Sequence, residues 1–248
     1  MQLFELRDYI GSLLELNRFR DYCPNGLQVE GRAEVRKLAT AVSASQAVLE
    51  AAANWGADAL LVHHGYFWKN EDATITGIKK RRIEFLLKNE LSLLAYHLPL
   101  DAHPELGNNA QLGARLGWTV GGQFGEQNLG SYGELVQPQS LAQLALTLNQ
   151  TLGRVPQIIG DSDKIIRRIA WCSGGAQGYF DQATALNVDA FLTGEISEQN
   201  VHVAHETGVA FIAAGHYATE QFGVQALGQH LVERLSLEHR FFAQDIPV

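Results

Sequence analysis

The sequence predicts an internally duplicated α/β protein, and three observations carry that reading. Short apolar runs alternate with amphipathic helical stretches, the pattern of a sheet flanked by helices. Two segments, residues 36–64 and 167–195, superpose without a gap at a constant offset of 131 (for example 170 − 39). Histidines and carboxylates gather where the predicted strands end.

Leu3, Leu6, Ile10, Leu13, Leu14 and Phe19 recur at helical spacing with Glu5, Arg7 and Asp8 between them, which predicts an N-terminal helix. Cys23-Pro24-Asn25-Gly26 is a turn signal. Lys37 to Val42 reads as a strand, Ala44 to Asn54 as a helix stopping near Gly56, and Ala59 to Val62 as a buried strand ending at His63-His64-Gly65. Residues 81–90 look helical and Leu91 to Tyr96 is another buried strand. Gly121 to Gly133 holds five glycines and little apolar material, so a domain junction is expected there, with a first half over 1–125 and a second over 126–248. Ser140 caps a helix bearing Leu141, Leu144, Leu148 and Leu152, and Ile165 to Trp171 is a strand.

The superposed segments share Arg36/Arg167, Ala39/Ala170, Gln46/Gln177, Ala52/Ala183, Asp58/Asp189, Ala59/Ala190 and Leu61/Leu192. Ala95-Tyr96-His97 with Asp101 further matches Ala214-Gly215-His216 with Glu220. Each half thus runs from a buried strand to a His with a carboxylate four residues later.

The chain has 248 residues, 46% of them apolar and 19% charged, ordinary values for a globular protein. A formal charge of -8 argues against a dedicated nucleic-acid binder but not against a nucleotide-sized substrate, because a bound cation reverses the local sign. Two cysteines, Cys23 and Cys172, are too few for a disulfide framework or a thiolate zinc site. No signal peptide and no run near the roughly 20 apolar residues of a membrane span are visible, so a soluble, cytoplasmic protein is expected.

Ligands of open α/β sheets bind at the carboxyl ends of the strands. His63 and His64 close one strand, His97 and Asp101 follow another, His216 and Glu220 follow its duplicate, and Glu195 ends the strand matching that of His64. Pro99 argues that His97 to Asp101 is a loop, whereas the periodicity of Ala218 to Leu235 puts Glu220 in the first turn of a helix. Imidazole and carboxylate without thiolate suit Zn, Fe, Mn or Ni. The donors suffice for two divalent metal ions sharing a carboxylate or water.

Asp21 to Gly31, His63-His64-Gly65-Tyr66-Phe67-Trp68, His97-Leu98-Pro99-Leu100-Asp101, Thr193-Gly194-Glu195 and Gly215-His216-Tyr217-Ala218-Thr219-Glu220 together closely resemble one family. It is the NIF-three-like family, also labelled GTP cyclohydrolase 1 type 2, and the match is closest to its bacterial YbgI branch. The resemblance implies two intertwined α/β halves with mixed sheets flanked by helices, a toroidal homohexamer, and a dinuclear metal site. Carried over by position, the metal ligands are His63, His64, Asp101, His216 and Glu220, with His97 beside the metals. The expected function is metal-dependent hydrolysis of a nucleotide-like or phosphorylated small molecule, damaged nucleotides included, with His97 or Glu195 moving the proton.

A non-catalytic metal carrier or assembly platform competes with the enzyme, and a nucleic-acid clamp is disfavoured by charge. Tyr66, Phe67 and Trp68 are core aromatics or a stacking surface, and Lys79 to Arg82 a solvated helix start or a phosphate contact. Gly174-Gly175 is a turn or an anion nest, while His202 and His205 are expected on a helix surface. Gln28 and Glu30 are expected to order their loop.

Overall fold

A computed structural model describes residues Met1–Val248. The chain forms two compact units, one of residues 1–100 with 223–244, the other of residues 101–222 with 245–248. The first division therefore falls between Leu100 and Asp101, ahead of the glycine-rich stretch, and the chain returns to unit 1 after Phe222. Asp101 accordingly belongs with the second unit.

Unit 1 contains α1 (Leu3–Leu13), β1 (Gly26–Val29), β2 (Lys37–Ser43), α2 (Gln46–Trp55), β3 (Ala59–His64), α3 (Gly77–Lys88) and β4 (Ser92–Ala95). The helix α2 begins at Gln46, two residues after the predicted Ala44. The Ser45 hydroxyl accepts the Val48 N–H, and Gly56, at φ 80, ends the helix in a left-handed conformation that costs glycine little. From Leu100 the chain runs on through α4 (Leu98–Ala102), α5 (Asn108–Arg115), β5 (Trp118–Phe124), β6 (Gly130–Ser140), α6 (Leu141–Leu152), β7 (Gln157–Ile159), β8 (Ile165–Trp171), α7 (Phe180–Thr184), β9 (Ala190–Thr193), α8 (Glu198–Thr207) and β10 (Ala210–Ala213). The long α9 (His216–Leu235) and β11 (Glu238–Phe241) complete it.

The sheet of unit 1 has the order β1-β4-β3-β2-β11, with β2, β3, β4 and β11 parallel and β1 antiparallel. That of unit 2 has the order β5-β6-β8-β9-β10-β7. Its strands β8, β9 and β10 are parallel, while β7 pairs antiparallel with β10. The glycine-rich stretch is no linker: it folds into the antiparallel β5/β6 pair. Small residues there let two strands meet closely, and Gly133 has no room for a β-carbon against the Thr119 backbone.

The duplication is visible in this topology. In each unit a first strand lies antiparallel to the last of three consecutive parallel strands: β1 against β4, and β7 against β10. The shared Asp residues make the same bonds in each unit. Asp58 Oδ2 accepts the backbone N–H groups of Arg36 and Lys37, both at 2.9 Å. Asp189 Oδ2 accepts those of Arg167 and Arg168 at 2.8 and 2.9 Å. Each carboxylate ties the start of one parallel strand to the start of the next. The matched His–carboxylate pairs need one correction of register. In the ladders Ala95 lies opposite Val62 and Ala213 opposite Thr193, so Ala95 corresponds to Ala213 rather than Ala214. The extra residue lies before His216, where Gly215 takes φ 99.

Each unit has its own core. Leu60, Val62, Leu93 and Ala95 pack with Val48, Leu49 and Leu86 in unit 1. In unit 2, Ile169, Trp171, Leu192 and Ile212 pack with Leu141, Leu144 and Leu148. All these side chains are within 2% of full burial, as strands covered on their faces by helices require. No helix is long and apolar enough to cross a membrane.

Candidate metal centre

In unit 1, β3 ends on His63 and His64 and β4 leads directly to His97. The ligand nitrogens of these three side chains lie within 4.8 Å of one another. Ring centroids are 4.6 Å apart for His63 and His64 and 5.0 Å for His63 and His97. His63 is fully buried, and its Nδ1 lies 3.0 Å from the Tyr96 carbonyl oxygen. A carbonyl only accepts, so Nδ1 carries the proton and Nε2 is the basic nitrogen, the tautomer of a metal-ligating imidazole. Ser43 Oγ holds His64 Nδ1 at 3.1 Å.

His97 is positioned by residues whose roles were invisible in the sequence. Asp21 Oδ1 lies 2.7 Å from His97 Nδ1, and Asp21 Oδ2 accepts from the Leu98 N–H and from Asn25 Nδ2. Asn25 Oδ1 in turn accepts the His97 N–H at 2.7 Å. Burial alone would raise the Asp21 carboxyl, but the bonds and charge from His97, with those from Asn25 and Tyr22, hold it below the usual range. Gln28 orders the same loop, as expected: it donates to the Pro24 carbonyl and accepts the Tyr66 N–H.

The aromatic run divides. Tyr66 is buried and donates its hydroxyl to the Ala44 carbonyl, and Phe67 packs on the unit 1 core. Trp68 instead lies edge-on to His97 at 5.1 Å and 5.9 Å from His64. Lys79 to Arg82 lie inside α3, with Lys79 paired to Glu71, and Glu30 is exposed. His202 and His205 are exposed on α8.

In unit 2, Asp101 lies in the short helix α4, not in a loop. Pro99 occupies the first turn of that helix, where a missing N–H costs nothing and the fixed φ favours entry. Asp101 is 7% exposed, and its Oδ1 accepts from Asn108 Nδ2 at 2.9 Å and Ser173 Oγ at 3.2 Å. Asn109 secures Ser173 by accepting its N–H. Glu220 is 3% exposed and has a ligand oxygen within 4.8 Å of one from Asp101. It stands on the second turn of α9, because the helix begins at His216, two residues earlier than its periodicity indicated. Its carboxylate pairs with the His216 imidazole.

His216 bridges two acids: Nδ1 lies 2.6 Å from Glu195 Oε1, and Nε2 lies 3.1 Å from Glu220 Oε2. A carboxylate behind Nδ1 and a donor atom before Nε2 is the arrangement of a metal-bound histidine. Burial alone would lower its basicity, but hydrogen bonding and charge from Glu220 and Glu195 outweigh this and raise it to about 9. Gly174 is no anion nest. Its N–H is taken by Thr219 Oγ1, and its missing side chain leaves room for the Glu220 carboxylate. Burial, and after it the charges of Asp101 and Glu220, push the buried Cys172 thiol far above its ordinary value, so it is not a reactive thiolate.

Two buried acids side by side, with an imidazole oriented by a third, form a set that could hold a cation. The donors of both units are oxygen and imidazole nitrogen, which fits a divalent transition ion or zinc. One pH dependence follows. With His216 raised above its unfolded value of 6.5, its pairing stabilises the metal-free fold fully below that pH and is lost as pH rises through about 9. A cation held by His216 Nε2 would have to displace that proton, so zinc affinity would rise about tenfold per pH unit between those limits. Chelator competition at pH 6.5, 7.5 and 8.5 measures it, and a flat profile would contradict a protonated His216.

The structure thus defines an α/β protein whose buried His, Asp and Glu groups could hold metal ions. Comparison places it more narrowly. Residues 1–247 match the Duf34/NIF3 (NGG1p interacting factor 3) family, and the chain belongs to that family. A Pseudomonas aeruginosa relative named GTP cyclohydrolase 1 type 2 homolog is 56% identical over 231 residues, 92% of this chain and 91% of the relative. One of the same name from Escherichia coli is 49% identical over 248 residues, 100% of this chain and 99% of the relative. The solved protein ybgI, described as of unknown function, superposes with a TM-score of 0.97 at 48% identity over the whole of both chains. A solved Thermus thermophilus protein reaches 0.92 at 35% identity, again over the whole of both.

Proposed function

We propose that the chain binds two divalent metal ions through His63, His64, Asp101, His216 and Glu220 and hydrolyses a nucleotide-like or phosphorylated small molecule. What most supports this reading is the orientation of the imidazoles. Nδ1 of His63 faces a carbonyl and Nδ1 of His216 a carboxylate, so each presents Nε2 as the donor. Bound ions would lower the pKa of a water toward neutrality and polarise the atom it attacks. The protein's own part is positioning and proton transfer. Asp21 holds His97 in one tautomer with Nε2 as the proton-exchanging nitrogen, and Glu195, its carboxylate partly exposed, can pass a proton to solvent. Trp68 flanks His97 and limits its rotation. The name carried by the relatives supports a cyclohydrolase-like reaction. The proposal includes a ring-shaped homohexamer in the cytoplasm, without a membrane or nucleic-acid partner.

The test is a screen of zinc-, iron-, manganese- and nickel-loaded protein against nucleotides, damaged nucleotides and phosphoesters. Turnover is expected for at least one class, falling by at least about a hundredfold in His63→Ala and Glu220→Ala while both variants stay folded. Two bound ions with no turnover across the whole panel would replace this reading with that of a metal carrier or assembly platform.

A further inference from the structure

A cavity of about 370 Å³ opens in unit 2 beside Asp101, bounded by the start of α5, the segment after α4, and the strands β5 and β6. Ligand pockets run from about 300 to 1,000 Å³, so this one suits a single small ring system. Its chemistry is selective. None of the residues around it is Lys or Arg, and its one carboxylate, Asp101, is buried. A phosphate placed here would meet no cationic side chain of the pocket itself.

The polar groups supply both donors and acceptors. His103 Nδ1 accepts the backbone N–H groups of Glu105 and Leu106, at 3.2 and 3.0 Å, so the proton of the neutral ring sits on Nε2 as a donor. Ser131, 6% exposed, has a hydroxyl that can do either, and so has the exposed Gln123 amide. Asn109 is already committed, donating to the Leu129 carbonyl and accepting from Ser173. Between these groups the wall is apolar, from Ala110, Val120 and Leu129. Apolar surface suits the face of a flat ring better than a sugar covered in hydroxyls. β5 is also the edge strand of its sheet, with its register shifted between Val120 and Gly122, so peptide groups lie at the pocket rim.

We propose that this pocket binds an uncharged, planar nitrogen heterocycle with both donor and acceptor edges, and that it excludes phosphate. As a description of how a substrate lies, this rests on the hydrolase reading: the ring enters the pocket beside Asp101, one of the proposed metal ligands. The binding itself requires no metal.

The probes are adenine, cytosine, ribose and inorganic phosphate, titrated into the metal-free full-length chain and followed by ligand-observed NMR. At least one base is expected to bind, and ribose and phosphate are not. Ala110→Leu, which fills the cavity, and Gln123→Ala, at an exposed position that does not endanger folding, should each weaken base binding at least tenfold. No base binding, base binding unchanged in Gln123→Ala and in folded Ala110→Leu, or phosphate or ribose bound as tightly as the bases would overturn the proposal. A chain that binds a base through this pocket but turns over nothing keeps this inference and loses the hydrolase reading. Hydrolysis of nucleotides with KM unmoved in both variants would do the reverse.

Discussion

Replacing Gly174 with alanine is expected to weaken the proposed metal binding without removing any donor side chain. Gly174 sits at φ +68, and a β-carbon built on it collides with a Glu220 carboxylate oxygen and comes within 3.2 Å of His216 Nε2. The left-handed backbone alone costs a non-glycine residue about 1–2 kcal/mol. The collision must then be relieved by moving Glu220, which is buried and paired to His216 at 3.1 Å. A shift of that size in a ligand should lower metal affinity by about 10- to 100-fold. Gly208→Ala is the control. Gly208 has φ +71, yet a β-carbon there would meet nothing within 4 Å, so it bears the backbone cost without touching a ligand. Metal content by elemental analysis and stability by urea unfolding separate the two effects. Gly174→Ala protein that retains as much metal as Gly208→Ala would show that Glu220 does not ligate.

The second large effect concerns stability. Asp58→Ala should lower the unfolding free energy by about 1.5–3 kcal/mol, the range for hydrogen bonds to a charged group. Asp58 accepts two backbone N–H groups at the start of β2 and one bond from Arg32 at 3.0 Å. Its burial would raise its pKa, but these bonds and the Arg32 charge outweigh that and hold it below 3.8. A depressed carboxylate stabilises above its unfolded value and loses that contribution as pH falls through its folded value. The deficit of Asp58→Ala should therefore be full at neutral pH and shrink in acid below about pH 4. Asp189→Ala, which removes the equivalent acceptor from β8, should show a loss of the same order. Urea titration that found either change below about 0.5 kcal/mol would mean that the shared carboxylates are not what joins these strands.

Why some of this was readable in advance and some not is a matter of range. Helix α2 and strands β3, β4 and β8 were legible because burial imposes their periodicity on neighbouring residues. Asp58 and Asp189 were legible as a repeat, because each serves the same local need at the same spacing. Pro99 misled, since proline stops a helix from within but opens one from its first turn. The glycines of 121–133 misled likewise, because small residues permit close strand pairing as well as linkers. Asp21 could not be assigned, because nothing local reveals that its carboxylate meets an imidazole 76 residues away.

By itself the amino-acid order determined the α/β class, the duplicated halves, the family, and the positions of the donor side chains at strand ends. Each is written in short-range periodicity or in residue identity. Only the tertiary structure decided where the chain divides, which tautomer each histidine holds, which acids stand beside His97 and His216, and that a pocket without Lys or Arg is lined in part by Asp101. Those features depend on hydrogen bonds and packing between segments far apart along the chain, and no local pattern encodes them.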